Sequence, residues 1–444
     1  MSSDTGVARP FRVGLYGGMA NNMYVYAHAL SSAGYDIVFV RDRNDNYPFS
    51  QPVWEDVRLT VPSTAEKPKT AEDWSREEDR LGWRTPKWLV DPLVDDPPVP
   101  ARWPSKRLFR PGQSAHRAIL RTFISNPMWA RALGWLQSCN ALMVCGFIGE
   151  QLAYLSGRPY AIWPHGGDIR SVCNYPAVQD TDPDRRYKLK LQSCLSLAFR
   201  EASWIGSHDP TAVGGSFCDV TSALFDKSLS FLPIPIARRA RPQGVDRHEL
   251  RKRLFEEIQT ATPEARFMAF VPSRVEFGWK GHDRLLRGAA GIRDVHFVFA
   301  GWGGDYDRAL AMAAELGLSE QVTFLPVAMS KPVLFDMYAA SDFVIDQFTL
   351  STYGTSLAEA MAGSVPVMMY IDEAAFISKG WEPPPVLNCQ SEHEIRSVLR
   401  RIVSGDIDLE AEGRRAGEWA SRTHDPDASV PLLATLLSGQ KRIG

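Results

Sequence analysis

The sequence predicts an α/β protein of two Rossmann-like domains, each built on a doubly wound parallel sheet, that face each other across a cleft. The chain has 444 residues, more than a single hydrophobic core usually serves. Short apolar runs alternate with helical patterns in both halves, as is typical of a parallel sheet covered by helices on both faces. The cleft between two such domains is the default position for a ligand.

The second half shows this alternation most clearly. Its predicted strands are RFMAFVPS, VHFVFAGWG, QVTFLPVA, SDFVIDQF and VPVMMYID. The helical patterns between them are DRLLRGAAG, YDRALAMAAELGL, PVLFDMYAA and TSLAEAMAG. Because the strands are nearly continuous apolar runs, we expect them to be buried on both faces of the sheet.

The first half opens with the strand FRVGLYGG, the helix NNMYVYAHALSSAG and the strand DIVFVRD. The alternation resumes after about residue 139 with NALMVCGF and PYAIWPHGGD, a long helix around Lys188 to Glu201, and SWIGSHDP. The domains are predicted to join within FLPIPIARRARPQG, because its prolines interrupt regular structure. We expect domains at 1–234 and 235–415, and a helical segment at 416–444 that packs back on the first domain.

A stretch rich in proline and tryptophan, about 47–113, interrupts the first domain and shows no regular pattern. A connection of this length inside a compact domain is usually functional or disordered, and its tryptophans weigh against disorder. We interpret it as a lid or as an insertion on the first domain's side of the cleft. The overlapping segment 102–121 mixes cations with apolar residues, so it either meets an anionic membrane surface or forms an ordinary solvated face.

Composition argues against several classes of protein. The formal net charge of -2 gives no reason to expect nucleic acid as a partner. The six cysteines include no C-x-x-C pair, and reduced thiols in so large a chain indicate the cytoplasm. The sequence shows no secretory signal and no run of roughly 20 apolar residues that would span a bilayer. We therefore expect a cytoplasmic protein, peripheral at the inner face of the membrane if segment 102–121 binds lipid.

The turn GLYGGMANN, after the first strand, is the first candidate for ligand binding. Gly17 and Gly18 would let a ligand approach the backbone, and Asn21 and Asn22 open a helix whose N-terminus favours an anion or a hydroxyl. The spacing is not that of the dinucleotide fingerprint, although Asp42 keeps a nicotinamide enzyme as a minor alternative. A tight structural turn explains the glycines equally well.

The motif WPHGGDIR is the second candidate. A histidine, two glycines and an aspartate after an apolar strand exceed what a simple turn requires, so we favour a ligand-binding or catalytic role for His165 and Asp168. The alternative is a buried histidine that is satisfied by Asp168.

Two turns of the second half are further candidates. In SRVEFGWKGH, Arg274 and Lys280 flank a glycine-containing turn and suit a diphosphate, which needs positive charge at two neighbouring centres. A surface basic pair is the alternative. The glycine-rich turn AGWGGDYD, with Gly301, could bring backbone close to a ligand, although this signal alone is nonspecific.

The stretch STYGTSLAEAMAGSVPV carries the strongest signal. The strand before it ends near Asp346, and a helix begins near Gly354, Thr355 or Ser356, so free backbone N–H groups point into the cleft. Glu359 lies about one helical turn further on. A diphosphate at the helix tip with ribose hydroxyls on Glu359 would satisfy both features. A buried glutamate bonded to local backbone is the alternative, but it leaves the small residues unexplained.

Taken in order, these motifs resemble the retaining glycosyltransferases of the two-domain GT-B architecture, especially glycosyltransferase family 4. In the second half the likeness covers the two cations, KGHDRLLRG, AGWGG, LGLSEQVTFLPVA, ASDFVID and YGTSLAEAMAGSVPV. In the first half it covers GLYGGMANN, RPYAIWPHGGD and EASWIGSHDP. The ordered series is specific, although no single element is.

The resemblance implies transfer of a hexosyl or related group from a UDP-, GDP- or ADP-sugar, with retention of configuration and without a bound metal or other cofactor. The acceptor would be a glycan, a lipid-linked or a small molecule, as in polysaccharide biosynthesis, and the 47–113 insertion would lie on its side. The implied catalytic residues are His165, Arg274 and Lys280. The implied donor-binding residues are Gly17, Gly18, Gly301, Val327 beside the base, Ser351, Gly354, Thr355, Ser356 and Glu359. The implied acceptor-side residues are Asn21, Asn22 and Asp168.

One position departs from the family pattern. The family usually has a second glutamate eight residues before the ribose-binding one, and this chain has Ser351 there. Serine keeps a hydroxyl but loses charge and reach, so the donor sugar is unusual, Asp346 substitutes, or transfer is lost. The same fold and site chemistry could instead serve a sugar-nucleotide epimerase or a phosphorylase, and the departure at Ser351 supports a further alternative, a catalytically silent partner that binds nucleotide sugar.

Overall fold

The computed structural model describes most of the chain. The described residues are 11–18, 21–42, 50–62, 71–103, 114–164, 168–169, 183–211, 217–237 and 246–437. Within them, the strands are β1 (Arg12–Tyr16), β2 (Asp36–Val40), β3 (Thr60–Pro62), β4 (Leu89–Val90), β5 (Ala141–Val144), β6 (Tyr160–Ile162), β7 (Trp204–Ser207), β8 (Leu229–Phe231), β9 (Phe267–Val271), β10 (Val295–Ala300), β11 (Val322–Leu325), β12 (Val327–Met329), β13 (Phe343–Ile345), β14 (Val367–Met369) and β15 (Leu387–Asn388).

The helices of the described residues account for most of the remaining chain. They are α1 (Asn22–Ser32), α2 (Val53–Asp56), α3 (Ala71–Arg80), α4 (Ser114–Phe123), α5 (Pro127–Gln137), α6 (Gly146–Ser156), α7 (Arg185–Glu201), α8 (Phe217–Phe225), α9 (Arg247–Glu257), α10 (Phe277–Lys280), α11 (His282–Ala289), α12 (Tyr306–Glu315), α13 (Lys331–Ala340), α14 (Thr355–Ala362), α15 (Glu373–Ser378), α16 (Glu392–Ser404), α17 (Leu409–Thr423) and α18 (Pro426–Leu437). Not one of these helices has the length and apolar character needed to cross a membrane.

Two parallel sheets form the centres of the two domains, which confirms the predicted fold class. The first has the strand order β4-β2-β1-β5-β6-β7-β8 and the second has the order β11-β10-β9-β13-β14-β15. The first turns of α1 and α14 meet between them, where the Thr355 hydroxyl donates to Asn22 Oδ1 across 3.1 Å. Since α1 follows β1 and α14 follows β13, the carboxyl ends of the two sheets face each other.

The hydrophobic core is shared by the two domains. One cluster of buried side chains runs from Leu15 in β1 to Phe270 in β9, and two further clusters pack against the other faces of the sheets. Helices α17 and α18 add Trp419 and Leu433 to the shared cluster, and α18 contacts α1 of the first domain. The cysteine side chains that the structure describes are buried thiols outside any disulfide bond.

The 47–113 stretch contains regular structure in its described parts, so the prediction of an irregular segment is wrong there. It supplies α2, β3, α3 and β4, and β4 extends the first sheet by pairing with β2. Three of these elements have two to four residues, too few for a periodic pattern to show. The longer α3 has the sequence AEDWSREEDR, and most of its residues are charged. The sequence therefore shows no apolar helical pattern, although Trp74 is buried.

The predicted strand QVTFLPVA is divided in two by Pro326. Strand β11 ends at Leu325, because proline has no N–H to donate to the sheet. Strand β12 leaves the sheet and pairs antiparallel with β3, with Ala328 opposite Val61. The first half of the chain therefore adds a strand to the second domain.

Close packing explains two of the glycines that were predicted to bind ligand. A Cβ atom on Gly17, whose φ is +142°, would lie 2.3 Å from Cys145 Sγ. A Cβ atom on Gly301 would lie 1.6 Å from the carbonyl oxygen of Leu325, closer than any real contact. At both positions glycine is required by the neighbouring strand or helix, whatever ligand is bound.

The Gly301→Ala substitution tests this close contact. We expect it to lower the free energy of unfolding by about 1–3 kcal/mol, as overpacking does in well-packed interiors. Gly304→Ala is the matched control, because a Cβ atom there would meet no atom within 4 Å. Both values would come from urea denaturation, and equal stability of the two variants would contradict the packing argument.

Candidate functional site

A cavity of about 360 Å³ lies between the two domains, beside the carboxyl ends of β9 and β10 and the first turn of α14. It is lined by five of the residues predicted from the sequence, Val327, Gly354, Thr355, Ser356 and Glu359. It is also lined by Trp54 and Glu55 from the first domain and by Lys331 and Tyr338 from α13. None of these four residues was predicted from the sequence to lie at the site.

The tip of α14 opens into this cavity. Gly354 is the N-cap residue, and its side chain position would meet no atom within 4 Å, so packing of the chain does not require a glycine there. Its extended backbone, with φ of -114°, does not require one either. The small residue instead leaves room for a ligand beside the free N–H groups of the first helical turn.

Glu359 is buried one turn below the helix tip, as predicted, and it has side-chain partners. Its carboxylate forms an ion pair with Lys331 and accepts a hydrogen bond from the Tyr338 hydroxyl at 3.3 Å. Burial raises the pKa of Tyr338 well above its ordinary value, and Glu359 raises it further, so the phenol remains a donor. Lys331 was missed because a lysine in the first turn of a helix is common and carries no signal by itself.

Lys280 and Arg274 lie near the same edge of the second sheet, but neither is among the described residues that line the cavity. Lys280 Nζ lies 3.0 Å from Asp346 Oδ1, and Arg274 Nε lies 2.9 Å from Glu276 Oε1. Asp346 is fully buried, and its second carboxylate oxygen has no hydrogen-bond partner in the described part of the chain. Lys280 is therefore held in place by a buried carboxylate.

His282 supports the turn between the two cations. It accepts a hydrogen bond at Nδ1 from the backbone N–H of Glu276 at 3.1 Å. Burial lowers the pKa of His282 to about 3, and the nearby Lys280 lowers it further. The imidazole is therefore neutral and acts as an acceptor that orders the turn.

The HGGD motif is only partly visible, because His165 lies outside the described residues. Asp168 is buried against Glu150 of α6. Burial raises the pKa of Glu150 well above its ordinary value, and Asp168 raises it further. Glu150 was not predicted from the sequence, because it lies inside an apolar helix with no motif around it.

The residues of the GLYGGMANN turn make contacts within the protein. The backbone N–H of Asn21 donates to the carbonyl oxygen of Gly18 at 3.0 Å. The Asn21 side chain donates to the Gln51 carbonyl oxygen at 3.0 Å and to Glu55 Oε1 at 3.2 Å. Together with the bond from Thr355 to Asn22, these contacts place both asparagines beside the cavity.

Ser351 is partly exposed in a loop whose backbone is held by the first domain. The N–H of Tyr353 donates to Asp209 Oδ2 at 2.6 Å, and its carbonyl oxygen accepts from His208 Nε2 at 2.9 Å. The Tyr353 hydroxyl lies 3.3 Å from Nε2 of His424, whose Nδ1 donates to the Ile234 carbonyl oxygen at 2.9 Å. We call this group the Tyr353 clamp.

The charge state of the Tyr353 clamp follows from its burial. Burial lowers the pKa of His208 to about 4 and that of His424 to about 3, so both are neutral at pH 7. Burial also raises the pKa of Asp209 to about 6, although hydrogen bonds from Thr211 and Tyr353 lower it. The SHDP motif contributed to the family resemblance without a predicted role, and the structure shows that it fixes the loop before α14.

Residues 253–373 match the family "Glycosyl transferases group 1". A D-inositol 3-phosphate glycosyltransferase of Mycolicibacterium gilvum is 39% identical over 111 residues, which are 24% of this chain and 24% of that protein. One of Mycolicibacterium vanbaalenii is 35% identical over 181 residues, 38% of this chain and 34% of that protein. The chain spans about a quarter of the length of the first of these relatives.

Solved structures match nearly the whole chain. Anabaena Alr3699/HepE, in complex with UDP and glucose, has a TM-score of 0.59 and 14% identity, and the match covers 97% of this chain and 100% of that one. Sucrose-phosphate synthase from Thermosynechococcus elongatus also has a TM-score of 0.59, with 12% identity and coverage of 97% and 98%. At such low identity the likeness establishes the fold alone.

Replacement of His424 by glutamine tests the neutral state of the Tyr353 clamp. The unfolded chain protonates this histidine near pH 6.5, whereas the folded protein keeps it neutral, so a fall from pH 7 to pH 5 stabilises the unfolded wild type by about 2 kcal/mol. The variant lacks this contribution. We therefore expect the stability advantage of the wild type to be about 2 kcal/mol smaller at pH 5 than at pH 7 in urea denaturation; an unchanged advantage would show that His424 is charged in the folded protein.

Proposed function

We propose that this chain, a GT-B protein similar to glycosyltransferase family 4 with a glycosyl transferases group 1 domain at 253–373, transfers a sugar from a nucleotide-sugar donor to an acceptor hydroxyl. One observation supports this most directly. A helix tip with open space at Gly354 and a buried, ion-paired Glu359 one turn below share a single cavity. Both lie within the part of the chain that matches the family.

The donor nucleoside would occupy the 360 Å³ cavity, with the base beside Val327 and the ribose on Glu359 and Lys331. A carboxylate paired with an ammonium group suits a vicinal diol, because each hydroxyl can donate to one and accept from the other. The structural neighbour from Anabaena was solved with UDP and with UDP-glucose, which supports a nucleotide sugar as the ligand.

The diphosphate would lie between the α14 tip and the two cations. Lys280, fixed by Asp346, and Arg274 would neutralise the charge that develops on the departing nucleoside diphosphate. Because these groups supply positive charge, we propose that the reaction needs no bound metal, and turnover in EDTA should equal turnover in its absence.

Retention of configuration is the stereochemical outcome that we propose. The carboxylates among the described lining residues are Glu55 and Glu359, and Glu359 is already engaged by Lys331 and Tyr338. Ser351, in place of the family's usual glutamate, offers a hydroxyl for the donor sugar but no carboxylate nucleophile. A leaving phosphate that takes the proton of the acceptor hydroxyl would account for retention without a protein nucleophile.

We also propose contact with an anionic membrane, which would present a lipid-linked acceptor. Arg117, Arg121, Arg186 and Lys190 line an exposed groove of about 360 Å³ between α4 and α7. Residues 104–113 of the predicted basic segment lie outside the described residues. We expect the protein to sediment with vesicles that contain phosphatidylglycerol and not with phosphatidylcholine alone; equal sedimentation with both would contradict this proposal.

A panel of UDP, GDP, ADP and TDP tests the donor site by thermal shift and calorimetry, since a ligand that binds only the folded state raises the melting temperature. We expect one of the four to bind. Glu359→Gln and Lys280→Ala should each weaken its binding about tenfold or more, because each removes a charge-assisted hydrogen bond. Lys252→Ala, on the exposed face of α9, is the matched control.

Assays with sugar derivatives of the nucleotide that binds, together with the panel, separate the two leading functions. Binding followed by release of the nucleoside diphosphate with a new glycoside indicates a transferase. Tight binding of a nucleotide sugar without turnover would favour the catalytically silent partner that Ser351 leaves open. The absence of any thermal shift, or unchanged affinity in both variants, would overturn the donor site.

A further inference from the structure

Residues 50–62 of the first half, which we call the strap, lie on the second domain. Its strand β3 pairs antiparallel with β12, so that Thr60, Val61 and Pro62 lie opposite Met329, Ala328 and Val327. The pairing continues at Leu59, whose N–H donates to Ser330 Oγ at 2.9 Å and whose carbonyl oxygen accepts from the Ser330 N–H at 3.0 Å. The strap is therefore attached to the chain segment that carries the predicted base-binding residue, Val327.

Side chains attach the strap to the second domain as well. Arg58 contacts Asp336 of α13 at 2.5 Å and Glu257 of α9 at 2.6 Å. These side chains are partly exposed, so the two ion pairs add little stability compared with the backbone pairing. Both acidic partners of Arg58 belong to the second domain, so the two ion pairs help to fix the register of the strap on that domain.

The other end of the strap is attached to the first domain. The Tyr24 hydroxyl donates to Asp56 Oδ2 at 2.6 Å, and Trp83 Nε1 donates to the same oxygen at 2.8 Å. The Asn21 side chain donates to Gln51 and Glu55, as described above. The short helix α2 is thus held from both sides, and it presents Trp54 and Glu55 to the cavity.

Glu55 interacts electrostatically with Lys331 and Glu359, the two charged residues of the proposed ribose site. Burial raises the pKa of Glu55 to about 7, Lys331 lowers it, and Glu359 raises it. Lys331 therefore interacts with one carboxyl group from each domain. Trp54 is buried in the same wall, with 5% of its surface exposed, and it offers a flat apolar face next to these polar groups.

We propose that the strap is part of the donor site, with Trp54 packing against the nucleoside of a nucleoside diphosphate and Glu55 positioning Lys331 for the ribose. This inference rests on the proposed function, because it concerns the same cavity. The first domain then contributes to recognition of the nucleotide and is not confined to the acceptor. The insertion predicted to lie on the acceptor side would serve the donor through residues 50–62.

Calorimetry with UDP, GDP, ADP and TDP on the full chain tests the strap. Using the nucleotide that the wild type binds, we expect Trp54→Ala to weaken binding about tenfold or more and Glu55→Gln to weaken it several-fold, with the binding stoichiometry unchanged. Trp74→Ala is the matched control, because it removes another buried tryptophan of the insertion that does not line the cavity. A variant that is merely misfolded would lower the stoichiometry and leave the affinity of the remaining molecules unchanged.

The outcomes are distinct for the strap and for the proposed function. Wild-type affinity in both Trp54→Ala and Glu55→Gln would overturn the role of the strap and leave the function standing. An equal loss of affinity in Trp74→Ala would also overturn it, since the effect would then not come from the cavity. No binding of any of the four nucleotides to the wild type would overturn both.

Discussion

The structure depends on how the backbone of Tyr353 is held. The first domain supplies Asp209 for its N–H and His208 for its carbonyl oxygen, and the C-terminal helices supply His424 for its hydroxyl. These bonds are buried, so an unmade one would cost the full desolvation of its partner. Gly354 and α14 follow Tyr353 directly in the chain, so the Tyr353 clamp fixes where the free N–H groups of the α14 tip lie in the cleft. The position of this helix tip therefore depends on how the two domains are arranged.

The Glu359–Lys331 pair is the second fixed point. A buried carboxylate without a partner would be strongly unfavourable, so the ammonium group on α13 and the Tyr338 hydroxyl make its position possible. The strap adds Glu55 to the same lysine. In this way Glu55, Lys331 and Glu359 bring together charges from three segments that are far apart in sequence. A ligand with neighbouring hydroxyls finds donors and acceptors already oriented.

The sequence predicted the two-sheet fold, because apolar runs that alternate with helical patterns indicate buried parallel strands. It also predicted the helix tip at Gly354 and the position of Glu359, because both follow from a single local pattern. Lys331, Trp54 and Glu55 could not be predicted. They come to line the cavity only when distant segments meet, and two-to-four-residue elements such as α2 and β3 leave no periodic signal. The catalytic and donor-binding roles assigned from the sequence, including those of His165, Lys280 and Glu359, all remain predictions.

Pro326 has a consequence for how such proteins can be recombined. By ending β11, it releases β12 to pair with the strap, so a piece of the first half completes the second domain. The second domain therefore cannot be transferred to another protein as one continuous segment of sequence. A chimera that takes its second domain from this protein would need to include residues 50–62, because without them β12 would expose an unpaired strand edge beside the cavity.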